Sequence, residues 1–102
     1  MLKLRHKYGA KAVTEDSKRF HSKKERDFFL KLKLLKEKGE ILFFCRQCPL
    51  DLPGGIIYRV DFLVFWADGR AEFFEVKGMR LPVGEMKMKQ AMDLYNIEIT
   101  VV

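Results

Sequence analysis

Residues 57–77 read Ile57-Tyr58-Arg59-Val60-Asp61-Phe62-Leu63-Val64-Phe65-Trp66, then Ala67-Asp68-Gly69, then Arg70-Ala71-Glu72-Phe73-Phe74-Glu75-Val76-Lys77. Two runs rich in β-branched and aromatic residues flank a short turn, which is the signature of a β-hairpin. In the first run, alternation puts Ile57, Arg59, Asp61, Leu63 and Phe65 on one face and Tyr58, Val60, Phe62, Val64 and Trp66 on the other. Both rows are mostly apolar, which predicts a central strand covered on both faces. Asp61 is then a carboxylate where an unpaired charge costs several kcal/mol unless it is paired, protonated or bound to a cation.

The turn decides what Asp61 meets. A three-residue loop Ala67-Asp68-Gly69, with Gly69 in the left-handed position, pairs Trp66 with Arg70, Asp61 with Glu75 and Arg59 with Lys77. A two-residue Asp68-Gly69 loop sets Asp61 against Val76 and separates the acids. The longer loop is preferred, because one cation then accounts for both carboxylates. Glu75 and Lys77 lie two apart and share a face. Two adjacent acids beside a lysine describe either a site for a hard divalent ion, Mg²⁺ or Mn²⁺, or a structural ion cluster at a strand end.

Upstream, Ser22-Lys23-Lys24-Glu25 is a capping box that opens a helix running to about Lys38, with Gly39 as its terminator. Phe28, Leu32 and Leu35 form its apolar stripe, widened by Phe29. Glu25 falls on that same face, so it either bonds back to the cap or points inward as a further acid. Strand signals follow at Ile41–Gln47, with Pro49, Pro53 and Gly54 marking a loop before the hairpin. Beyond the hairpin come a loop over Gly78–Gly84, a helix from about Glu85 to Tyr95 and a β-rich tail, Ile97–Val102. The order αβββαβ predicts one α/β or α+β domain with a mixed sheet flanked by helices. Met86, Met88 and Met92 read as core filler, and Gln90 as a surface glutamine or a site residue.

The 102 residues carry a formal charge of +6, with 48% hydrophobic and 33% charged residues, in keeping with one folded domain. The excess is local. Residues 1–24 contain Lys3, Arg5, Lys7, Lys11, Lys18, Arg19, Lys23 and Lys24 against Glu15 and Asp16, whereas the remainder balances. We therefore divide the chain into a basic N-terminal arm, residues 1–21, holding at most a short extended pair near Ala12–Val13 and Arg19–Phe20, and a single domain, residues 22–102. A neutral body with a basic arm predicts a polyanionic partner, most simply nucleic acid. No apolar run approaches a membrane span, and residues 1–24 do not resemble an export signal, so a membrane or exported protein is not expected. Cys45 and Cys48 form a lone C-x-x-C without two further zinc ligands, and read as thiols in a reducing compartment rather than a metal or redox site.

Asp61 followed by Glu75-Val76-Lys77 resembles the PD-(D/E)XK nuclease superfamily, in which an acid in the second core strand precedes (D/E)-x-K in the third. The resemblance is closer to small phage proteins described as endonuclease I-like or Holliday junction resolvase-like. It extends over Lys7-Tyr8-Gly9-Ala10-Lys11, Phe20-His21-Ser22-Lys23-Lys24-Glu25, Leu32-Lys33-Leu34-Leu35, Tyr58-Arg59-Val60-Asp61-Phe62 and Glu75-Val76-Lys77-Gly78. Val60 stands where the superfamily name has proline. The resemblance implies a restriction-endonuclease-like core and metal-dependent hydrolysis of a DNA phosphodiester by in-line water attack. It implies Asp61, Glu75 and Glu25 as ligands of Mg²⁺ or Mn²⁺, Lys77 as the catalytic lysine and Gln90 as a further site residue. It identifies a glutamine at the position of Gln47 without a role for it. It further implies branched DNA as substrate, a homodimer, and the cytoplasm of a phage-infected or lysogenic bacterial host.

Overall fold

The computed structural model describes residues 13–15, 18–76 and 81–102. Element order is β1 (Val13–Glu15), β2 (Lys18–Phe20), α1 (Lys23–Glu37), β3 (Ile41–Leu52), β4 (Ile56–Trp66), β5 (Ala71–Glu75), α2 (Pro82–Tyr95) and β6 (Ile99–Val101). This is the expected αβββαβ order in an α+β domain, preceded by a small hairpin. The main sheet has the order β3-β4-β5-β6, with β3, β4 and β5 antiparallel and β6 parallel to β5 across the α2 connection.

Helix α1 begins and ends where its capping residues direct. The Glu25 N–H donates to Ser22 Oγ at 3.1 Å. At the other end Gly39 has φ 84°, and the Gly39 and Glu40 N–H groups donate to the Lys36 and Leu35 carbonyls, each at 3.0 Å. That pair of bonds is a Schellman ending, for which a glycine without a Cβ is best suited. Helix α2 starts at Pro82, three residues earlier than expected, because proline's fixed φ and missing N–H suit the first helical position.

Strand β3 runs five residues past Gln47 and takes in Pro49, paired with Arg59. Pro49 is tolerated because β3 is an edge strand, where an N–H on the open side has no ladder partner to lose. The turn is instead Pro53-Gly54-Gly55, with φ 83° and 74° at the two glycines.

Two hydrophobic clusters hold the layers together. Phe29 and Leu32 of α1 pack with Phe20, Ile41, Phe62, Val64 and Phe74. Met88 and Ala91 of α2 pack with Leu52, Tyr58, Val60 and Ile99. Each large apolar side chain buried in this way contributes about 1.5–3 kcal/mol. Phe20 is fully buried against Phe29 of α1, so the three-residue strand β2 contributes an aromatic side chain to this cluster. Strand β4 is central, but its cover is uneven. Tyr58, Val60, Phe62 and Val64 are buried, whereas Ile57 and Arg59 are exposed and Leu63 and Phe65 half-buried among the described residues. Met86 is exposed rather than core. Among the described residues no helix is long and apolar enough to cross a membrane.

Candidate active site

The loop after β4 has three residues. Gly69 takes φ 96°, the Trp66 N–H donates to the Arg70 carbonyl at 2.8 Å, and the Gly69 N–H donates to the Trp66 carbonyl at 3.0 Å. The ladder pairs Phe65 with Ala71 and Phe62 with Phe74, a register that sets Asp61 across from Glu75. The two acids are tied by backbone groups. The Asp61 N–H donates to Glu75 Oε1 at 3.3 Å, and the Val76 N–H donates to Asp61 Oδ2 at 2.8 Å.

Glu25 reaches the same place from the first turn of α1. Its side chain is buried, and its two oxygens face different partners. Oε1 accepts from the His21 N–H at 2.9 Å; Oε2 accepts from Gln47 Nε2 at 3.2 Å. The same Gln47 nitrogen donates to Asp61 Oδ1, also at 3.2 Å. Basic side chains stand farther from Glu25, with Arg46 Nη2 at 3.7 Å from Oε2 and His21 Nδ1 at 3.8 Å from Oε1. Arg46 is anchored by a 2.8 Å bond to the Arg19 carbonyl and by its guanidinium 4.2 Å over the Phe20 ring. Burial pushes the Asp61 carboxyl above its ordinary range; the Val76 N–H opposes this, and the nearby Glu25 charge adds to the upward push.

These acids open onto a cavity of about 450 Å³ that Glu25, Asp61 and Glu75 line together with His21, Ser22, Tyr58 and the first turns of α2. Three acids that are far apart in sequence, from α1, β4 and β5, therefore share one concave site. Their donor set is all oxygen, which suits a hard divalent ion. Among the described residues no three histidine, cysteine or acidic groups are already gathered as an ion's ligands. Between Glu25 and Asp61 stands the Gln47 amide.

Other expected residues lie elsewhere. Gln90 is exposed and lines a separate depression with Pro82, Met86 and Lys89. The reason is helical phase: Met88 and Ala91 face the sheet, and Gln90 lies about 200° round the helix from Met88. The acid that α2 brings to the cavity is Glu85, which no motif or spacing in the sequence singles out. Lys77, Lys3, Arg5, Lys7 and Lys11 lie outside the described residues. Lys23 and Lys24 are exposed on the first turn of α1, beside the His21–Ser22 wall of the cavity; Arg19 is exposed and Lys18 half-buried. Cys45 is exposed, and Cys48 is half-buried against the Leu52–Tyr58 cluster, where burial and the neighbouring Cys45 raise its thiol pKa. Nothing in the spacing of His21, Arg46 and Tyr58 signals a site, although His21 and Tyr58 fall within segments that carry the resemblance.

A family model described as protein of unknown function (DUF1064) matches residues 5–101, so the chain belongs to that family. No curated protein and no solved structure matches the chain.

Proposed function

We propose that this member of a family without an assigned function is a Mg²⁺- or Mn²⁺-dependent endodeoxyribonuclease of restriction-endonuclease-like type. In this reading it is selective for branched DNA, similar to Holliday junction resolvases, and acts as a homodimer in the cytoplasm of a phage-infected or lysogenic bacterial host. The observation that carries the reading is the convergence of Glu25, Asp61 and Glu75 from α1, β4 and β5 on one cavity. A cluster needed only for folding would be simpler with basic partners, whereas here backbone N–H groups and an amide hold the acids and the cationic contacts are long.

In this reading Asp61, Glu75 and Glu25 hold the divalent ion, which when bound neutralises phosphate charge and lowers the pKa of water. The Val76 N–H fixes one oxygen of Asp61 and leaves the other turned toward Glu25 through Gln47. Lys77 orients the attacking water and stabilises charge developing on the phosphate. Lys23 and Lys24 sit at the positive end of the α1 dipole, where cations are disfavoured by about 0.3–1 kcal/mol each. A DNA backbone drawn toward the cavity rim would offset that cost.

One observation favours a second reading, a noncatalytic DNA-binding module. Gln47 already satisfies Glu25 and Asp61 as a structural polar network would. The deciding experiment is cleavage of a labelled four-way junction beside matched duplex and single strand, in Mg²⁺, Mn²⁺ and EDTA. Paired symmetric cuts on the junction, abolished in EDTA and in Glu75→Ala and Lys77→Ala that still fold, are expected. Equal cutting of all substrates would remove the branched-DNA preference. Tight binding without cutting would favour the module.

A further inference from the structure

Gln47 has φ 52° inside a strand, and among the described residues only Asn96 is another non-glycine with positive φ. Asn96 is accounted for, because it ends α2 as its left-handed cap. Nothing comparable explains Gln47. The ladder is in register on both sides of it, with Arg46 opposite Phe62 and Cys48 opposite Val60, so neither a turn nor an inserted residue demands the conformation. What distinguishes Gln47 is the destination of its side chain, whose single nitrogen lies 3.2 Å from Glu25 Oε2 and 3.2 Å from Asp61 Oδ1.

Both oxygens are thus turned toward one point, and a donor stands at it. A divalent cation that drew on both oxygens would compete with this donor for them. We propose that the Gln47 carboxamide stands in for a cation between Glu25 and Asp61 in the cation-free protein and is displaced when a divalent cation binds. This rests on the reading of those acids as cation ligands.

The test uses full-length ¹⁵N-labelled protein. The chain contains only two glutamines, Gln47 and Gln90, and one asparagine, Asn96, so its spectrum holds three side-chain amide pairs. Without cation, the Gln47 pair is expected to exchange slowly with solvent. Saturating Mg²⁺ should speed that exchange at least about tenfold, the equivalent of losing one net hydrogen bond, and leave the exposed Gln90 and Asn96 pairs unchanged. In Gln47→Leu, calorimetry should show Mg²⁺ binding about tenfold tighter, because the ion no longer competes with a donor. Saturation by Mg²⁺ with the Gln47 pair still protected, or weaker binding in Gln47→Leu, would overturn the inference and leave the nuclease reading standing. If neither Mg²⁺ nor Mn²⁺ binds, the nuclease reading fails and this inference with it. Should Gln47→Leu not fold, the exchange measurement on the unaltered protein decides alone.

Discussion

Phe20→Ala tests whether the N-terminal hairpin is part of the domain. Phe20 is fully buried, its ring centroid lies 5.0 Å from that of Phe29, and the Arg46 guanidinium covers its face at 4.2 Å. Truncating a buried phenylalanine costs about 3–5 kcal/mol, with the cation–π interaction supplying about 0.5–1 kcal/mol of it. Against a total stability of about 5–15 kcal/mol, that is a large share. At about 4–8 °C per kcal/mol, the melting temperature should fall by roughly 12–40 °C. Urea unfolding followed through the fluorescence of Trp66, the chain's one tryptophan, gives the free energy directly. Phe43→Ala is the control. Phe43 stacks on Phe65 at 4.4 Å but is 47% exposed, so its truncation should cost about 0.5–1.5 kcal/mol. Deleting residues 1–21 should cost at least as much as Phe20→Ala. A cost below about 1 kcal/mol in Phe20→Ala, at unchanged denaturant slope, would refute the reasoning and leave residues 18–20 in the arm.

The Asp61 carboxyl is raised in the fold, chiefly by burial, so its protonation favours the native state. Its contribution is complete below the ordinary aspartate range near about 4 and is lost as pH climbs through the raised value. In cation-free buffer, the stability of Asp61→Asn relative to the unaltered protein should therefore rise with pH through that window, and a relative stability that falls with pH would contradict the assignment. For DNA affinity, replacing Lys18, Arg19, Lys23 and Lys24 by glutamine should flatten the dependence of log K on log salt by about 0.9 for each phosphate that is no longer neutralised. Fluorescence anisotropy on a labelled junction from about 50 to 200 mM KCl measures this, and an unchanged slope would place the DNA elsewhere.

Much of the architecture is legible in the sequence because its signals are local. Ser22 and Gly39 bracket α1, and Gly69 selects the hairpin register that brings Asp61 opposite Glu75. What the sequence hides depends on tertiary context. Pro49 reads as a breaker until β3 is known to be an edge strand. Phe20 lies in a strand of three residues, too short for periodicity to reveal a core position. Alternation shows that both rows of β4 are apolar but carries no information about what covers each. Gln47 gives no sign of its left-handed backbone, because the residues that advertise that conformation are glycine and asparagine.

Glu25 is the most instructive of these residues, because its spacing supports two readings that look exclusive. A cap residue bonds back along the helix start; a site residue points into the fold. The carboxylate does both, since it has two oxygens. Oε1 takes the His21 N–H, one residue before the Ser22 predicted by the capping box, and Oε2 takes the Gln47 amide. Each partner is a donor, so a glutamine at position 25 would turn one NH₂ hydrogen toward another donor and forfeit a hydrogen bond whichever way it rotated. Only an acceptor on both sides satisfies the position. The same holds for Asp61, whose oxygens face Gln47 and the Val76 N–H. Two carboxylates that accept hydrogen bonds at both oxygens, joined through one amide nitrogen, occupy positions that neither glutamine nor asparagine could fill as well.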